Sequence, residues 1–277
     1  MGTESIGFLG GDDRMAILAR RMKSDGYEVR SWALPEAPGA APLKEAAAAK
    51  RLVLPMPLAR GGRLNGTDLK LEALWKELPR GSRAYAGAVP QAERERAETL
   101  GVRLTDYGAD EALAVRNAAL TAEGAVAAAM EHTRFALCGA PCLVLGYGRI
   151  GKALSRRLDA IGARVSVSAR KREDLAWIES FGWEGLDTER LAGRLGGFRV
   201  IFNTVPHLIL DAALLHELRR DCVLIELASV PGFDSETARA EGLNCATALG
   251  LPGRTAPETA AGALRETLYR IWKDEST

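Results

Sequence analysis

Apolar residues along this chain fall into short continuous runs and longer stretches of helical spacing, and the two alternate. Residues 5–9, 27–32, 51–54, 84–87 and 102–105 read as strands, with helical patterns at 12–24, 43–49, 68–76 and 91–99. Pro55-Met56-Pro57 ends the third strand, because proline cannot continue a ladder. Repeated units of this kind specify a parallel sheet with helices on its faces. Residues 1–120 are therefore expected to form one open α/β domain.

A second alternating series begins at Cys142, with strands expected at 142–146, 164–169, 199–203, 222–227 and 243–247. An Ala-rich helical stretch at 121–132 separates the two series, with Thr121 as its N-cap and Gly124 costing some helicity. The segment 257–272 is amphipathic and helical. The predicted fold class is α/β, two open parallel-sheet domains joined by linking helices. The second domain would run over 121–254, including a linking helix at 121–133, and the helix in 255–277 would pack back toward the first. A cleft between two such domains is the default place for an active site.

The strongest local signal is Cys142-Leu143-Val144-Leu145 running into Gly146-Tyr147-Gly148-Arg149-Ile150-Gly151, then a helical stretch to Ile161. GxGxxG alone is weak, but here it follows an apolar strand, opens a helix and precedes another strand. That is the context of a Rossmann dinucleotide-binding fingerprint. Gly146 would permit the tight turn, Gly148 would let backbone approach a pyrophosphate, and Gly151 would let helix pack closely on strand. The amides opening the helix would face the phosphates.

Sites for NAD usually place Asp or Glu at the end of the next strand. This chain has Ser168-Ala169-Arg170-Lys171-Arg172 there, and its first acid arrives at Glu173. A hydroxyl and cations would receive a 2′-phosphate that a carboxylate would repel, so the cofactor is predicted to be NADP, with Ser168, Arg170 and Lys171 binding it. Asn203-Thr204-Val205-Pro206 follows the fourth strand, where nicotinamide is expected. Ser229, and the segment from Gly250 to Arg254, follow the next two strands.

Composition narrows the partners. The formal charge is +1, with 26% charged and 47% hydrophobic residues. Such a balance supports neither nucleic acid nor a membrane surface as partner. No basic, then apolar, leader begins the chain, so a cytoplasmic location is expected. Cys138 and Cys142 lack a second ligand pair for zinc, so no metal is predicted, while Cys142 and Cys222 lie in apolar strands as core residues.

Taken together, these motifs resemble the A subunits of dipicolinate synthase, from spore-forming bacteria. The likeness spans nearly the whole chain. It includes Gly10-Gly11-Asp12-Asp13-Arg14, Leu54-Pro55-Met56-Pro57, Asn117 and Thr121-Ala122-Glu123-Gly124. It continues through Val144 to Gly151, Asn203 to Pro206, and Gly250-Leu251-Pro252-Gly253-Arg254-Thr255-Ala256-Pro257. Glu131-His132-Thr133 departs from the pattern, which would put Asn between Glu and Thr.

The resemblance implies NADP-dependent oxidation of a dihydrodipicolinate-type ring to pyridine-2,6-dicarboxylate, serving sporulation. The partners it implies are a flavoprotein-like B subunit, together with further copies of the chain as a homo-oligomer. No HExxH, nucleophile elbow or Cys–His pair is present. Aromatisation supplies much of the driving force, leaving the protein to orient the ring and neutralise two carboxylates. Arg14, Thr121, Glu123 and Arg254 are the candidate substrate-binding residues, although Thr121 and Glu123 could serve simply as a cap and a first-turn acid. His207, beside the expected nicotinamide, is a weak candidate for the acid–base group; no catalytic base is identified. Two alternatives stand. One is another two-domain NADP dehydrogenase of the shikimate or methylene-tetrahydrofolate type, although no suitably placed lysine is evident around Lys44, Lys50 or Lys70. The other is a non-catalytic cofactor-binding subunit.

Overall fold

The computed structural model describes residues 4–276. It divides into two compact units, one formed by 1–116 with 256–277 and the other by 117–255. The first opens with β1 (Ser5–Leu9), α1 (Asp13–Ser24), β2 (Glu28–Trp32), α2 (Leu43–Ala47) and β3 (Arg51–Val53). A small antiparallel hairpin follows, β4 (Ala59–Arg60) and β5 (Arg63–Leu64). Then come α3 (Leu71–Glu77), β6 (Arg83–Ala86), α4 (Gln91–Thr99) and β7 (Arg103–Asp106). The five long strands form an all-parallel sheet in the order β2-β1-β3-β6-β7. The order reverses between β1 and β3, the kind of point where open α/β sheets leave a crevice.

α5 (Glu111–His132) leads into β8 (Pro141–Leu145), α6 (Arg149–Ala160), β9 (Arg164–Ala169), α7 (Arg172–Ser180) and β10 (Glu184–Asp187). The series continues with β11 (Val200–Asn203), α8 (Ala212–His216), β12 (Val223–Glu226), α9 (Ser235–Ala240), β13 (Asn244–Thr247) and α10 (Leu251–Thr255). α11 (Pro257–Asp274) belongs to the first unit. The second sheet is all parallel, β10-β9-β8-β11-β12-β13, which is the Rossmann strand order. Its central strand explains the continuous apolar run: Cys142, Leu143, Val144 and Leu145 are fully buried, because helices cover both faces. In the first unit, α11 lays Leu264, Leu268 and Trp272 into the same core as Met15, Leu18 and Met22 of α1.

The predicted helix start at Thr121 is corrected. One helix of 22 residues begins at Glu111, capped by Asp110, whose Oδ1 accepts from the Leu113 amide at 2.8 Å. The Ala-rich sequence from Ala112 onward sustains helix without a break. Thr121 is therefore interior, and its hydroxyl donates to the Asn117 carbonyl one turn back at 2.8 Å. Gly124 has a packing role: a Cβ there would lie 2.9 Å from Leu251 Cβ and 3.0 Å from Thr255 Oγ1, so its absence admits α10.

Candidate functional site

The glycine bend after β8 organises the second unit's site. Gly146 adopts φ +95°, open to glycine but costly for other residues, and a Cβ there would meet Val205 Cγ2 at 2.7 Å. A Cβ on Gly151 would fall 2.0 Å from the Gly146 carbonyl oxygen, so α6 can start this close to β8 only with glycine. Gly148 differs: nothing lies within 4 Å of its Cβ position. The space above the bend is open, at the start of a helix whose first turn carries no acid. Helix-opening amides lack partners within the helix, and they favour an anion.

A cavity of about 790 Å³ opens at this bend. Its floor comes from Gly146, Tyr147, Gly148, Arg149 and Ile150. Ala169, Arg170 and Lys171 border it at the end of β9, while Thr204, Val205, Pro206 and His207 border it after β11. Asp174, Thr188, Glu189, Leu208 and Ile209 complete the lining and were not singled out from sequence. Thr188 and Glu189 follow β10, a strand that the apolar pattern did not reveal. The cavity thus sits at the switch point between β8 and β11. Its volume, open bend and cationic edge fit a dinucleotide.

Three residues assigned to the cofactor have different surroundings from those expected. Ser168 is fully buried and does not line the cavity; its Oγ accepts from Thr188 Oγ1 at 3.1 Å and lies 3.4 Å from the Gly146 amide. Alternation along β9 accounts for this, since Ser166 and Ser168 share one face while Val165, Val167 and Ala169 enter the core. Asn203 is also buried. Its Oδ1 accepts from the Val205 amide at 3.1 Å, and its Nδ2 donates to Val205 O at 2.9 Å and Glu226 Oε1 at 2.7 Å. Asn203 shapes the turn from within. Ser229 is exposed beyond β12, outside the cavity lining.

The substrate-side candidates are dispersed. In the first unit, Arg14 is 5% exposed at the start of α1, not spread into solvent. Its fork is already engaged: Nε and Nη2 donate to the two Asp12 oxygens at 3.3 and 3.0 Å, and Nη2 also reaches the Met56 carbonyl at 2.7 Å. Tyr107 donates to the Leu54 carbonyl at 2.7 Å, so two buried side chains hold the 54–57 segment. Burial raises the Tyr107 hydroxyl pKa, keeping it a donor. In the second unit Glu123 is mid-helix and paired with Arg157 at 3.0 Å, while Arg254 is exposed on α10. Cys142 and Cys222 are buried, and burial pushes each thiol up to about 12, so they remain core thiols.

Among the described residues no group of His, Cys, Asp and Glu could hold a metal ion, and no helix is long and apolar enough to cross a membrane.

Comparison with known proteins adds to this geometry. Residues 5–108 match the family model for the N-terminal domain of the dipicolinate synthase A subunit. The dipicolinate synthase A subunit of Bacillus subtilis (strain 168) is 34% identical over 160 residues, which cover 57% of this chain and 54% of that protein. The match thus spans about half the length of that relative. The crystal structure of the dipicolinate synthase A subunit from Bacillus halodurans superposes with a TM-score of 0.85 at 26% identity, covering 98% of this chain and 99% of that one. D-lactate dehydrogenase of Escherichia coli shares the fold at 16% identity, with a TM-score of 0.66 and coverage of 98% and 97%.

Proposed function

We propose that this chain, which is similar to the A subunits of dipicolinate synthase, is the NADP-dependent component that oxidises dihydrodipicolinate to dipicolinate, pyridine-2,6-dicarboxylate, for sporulation. The observation carrying this reading is the open glycine bend at the switch point, bordered by Arg170 and Lys171 where an NAD site usually places a carboxylate. In this reading the amides opening α6 would hold the diphosphate, Arg170 and Lys171 would take the 2′-phosphate, and Thr204, Val205 and Pro206 would border the nicotinamide half. Bound there, such a cofactor would supply the acceptor for two electrons and one hydrogen of the substrate ring.

The remaining task of the protein is to orient that ring and remove one proton. His207 lines the cavity beside Pro206 and is the imidazole we assign to the proton. Arg254, exposed on α10, is the guanidinium we assign to a substrate carboxylate. Arg14 supports the first unit's loops, its fork being filled by Asp12. Its partners in this reading would be a second, flavoprotein-like subunit and further copies of the chain, and the assembly would work in the cytoplasm.

The test is incubation of the purified chain with enzymatically generated dihydrodipicolinate and NADP⁺. Formation of NADPH and pyridine dicarboxylate in equal amounts supports the reading. Cofactor binding without turnover, with or without the second subunit, overturns it in favour of a cofactor-binding role.

A further inference from the structure

Glu226 ends β12, an interior strand of the second sheet, and is only 2% exposed. It has no ion-pair partner among the described residues. Its contacts are all donors: Asn203 Nδ2 at 2.7 Å and the Ala228 amide at 2.8 Å reach Oε1, and the Gly232 amide at 2.7 Å reaches Oε2. Burial raises its pKa, while the Gly232 amide, the Asn203 side chain and the Ala228 amide pull the other way. A buried charge without a counter-charge costs stability, and an apolar residue would serve the core better.

What the carboxylate does for the cavity lies in where its partners lead. Asn203 begins the wall from Thr204 to Ile209 and clasps Val205 through both its N–H and its C=O. At the other end of that wall, the Ile209 and Leu210 amides donate to the Gly232 carbonyl at 2.8 and 2.9 Å. Gly232 is in turn held through its own amide by Glu226 Oε2. Both ends of the wall are thus tied to the two oxygens of one side chain. Gly232 fits so tightly that a Cβ on it would lie 2.1 Å from Asn203 Nδ2.

We propose that Glu226 is a positioning residue that fixes the nicotinamide-side wall of the dinucleotide cavity, by holding Asn203 and Gly232 at once. The inference rests on the cofactor reading above. It is confined to one half of the ligand, because the adenosine half would lie over β9 and β10, on the far side of the bend.

Calorimetric titration of the whole chain with NADP⁺ and, separately, with adenosine 2′,5′-bisphosphate tests it. In Glu226→Gln the amide NH₂ must face one of the three donors. NADP⁺ affinity should fall about tenfold or more, with bisphosphate affinity close to wild type. Gly232→Ala leaves the carboxylate intact but displaces Asn203, so it should show the same selective loss and carries the test if the first variant does not fold. Equal losses for both ligands, or no loss for either, overturn the proposal. Failure of the wild-type chain to bind either ligand overturns the cofactor reading as well, which separates the two.

Discussion

Gly151 lies so close beneath Gly146 that a Cβ on the first would stand 2.0 Å from the carbonyl oxygen of the second. The Cβ position of Gly148, between them, meets nothing within 4 Å. Two glycines of one motif thus answer to different constraints, one internal to the fold and one facing outward.

Their alanine variants should separate accordingly. Gly151→Ala forces α6 away from β8 and is expected to destabilise the chain by about 1–3 kcal/mol, as overpacking does. Gly148→Ala, at φ −78°, should leave the melting temperature unchanged while weakening NADP⁺ binding by about tenfold or more. Thermal melts beside NADP⁺ titrations decide; a destabilised Gly148→Ala would contradict the open space above the bend.

Arg170 and Lys171 border the cavity at the end of β9. Loss of one charge-assisted bond to a phosphate is worth about 1.5–3 kcal/mol, so Arg170→Ala should lower NADP⁺ affinity by roughly ten- to a hundredfold. NAD⁺ affinity should hardly move. Comparable losses for both cofactors would show that the cation does not read the 2′-phosphate.

His207 is the imidazole of the cavity lining. Removing a general base costs roughly 10²–10⁴-fold in rate, so His207→Gln should lower kcat over that range and leave the NADP⁺ dissociation constant intact. An unchanged kcat would take His207 out of the mechanism.

The family resemblance makes Arg14 a candidate to grip substrate, but its fork holds Asp12 and the Met56 carbonyl. Arg14→Ala should therefore destabilise the chain, by roughly 2 kcal/mol, because a buried charge-assisted network is lost while Asp12 still reaches water. Arg14→Lys should recover little, since an ammonium cannot span both carboxylate oxygens. Full stability in Arg14→Ala, measured by urea unfolding, would deny it this role.

Asp110 gives a pH signature. Burial alone would raise its pKa, but the Leu113 amide and Arg270 outweigh that and hold it below the ordinary carboxylate value. A depressed folded-state pKa means stability that is present above the unfolded value, about 3.9, and lost as pH falls through the folded one. Asp110→Asn should keep much of the cap and lose that acid-side slope. Asp110→Ala should lose about 1 kcal/mol of capping at neutral pH as well. Urea unfolding across pH 2–6 (roughly the titration range of a carboxylate) checks both; an identical acid-side slope in Asp110→Asn would exclude the linkage.

Much of this architecture was legible in the residues. The predicted strand at 164–169 is β9 to the residue and the predicted helix at 91–99 is α4, because each has a strong period and clear stops. β10 was not legible. Of Glu184, Gly185, Leu186 and Asp187 only Leu186 enters the core, and the strand is held by pairing along the edge of β9. No apolar run marks such an edge. Its omission also hid Thr188 and Glu189, which line the cavity. The start of α5 is ambiguous in sequence because Thr121 offers a cap, although Asp110 offers one earlier ahead of uninterrupted helix formers. At the site, glycine spacing gave the bend, but residue type could not say which way Asn203 or Arg14 would turn. Both are polar groups whose partners come from distant segments, Glu226 for one and Met56 for the other.

The first unit is interrupted in sequence, its final helix separated from the rest by residues 117–255. On a ribosome adding ~5–20 residues each second, that interval lasts on the order of ten seconds. Throughout it, Met15, Leu18 and Met22 lack the Leu264, Leu268 and Trp272 that share their core. The second unit has all its strands within that interval, so the nascent chain completes its domains in reverse order of their beginnings.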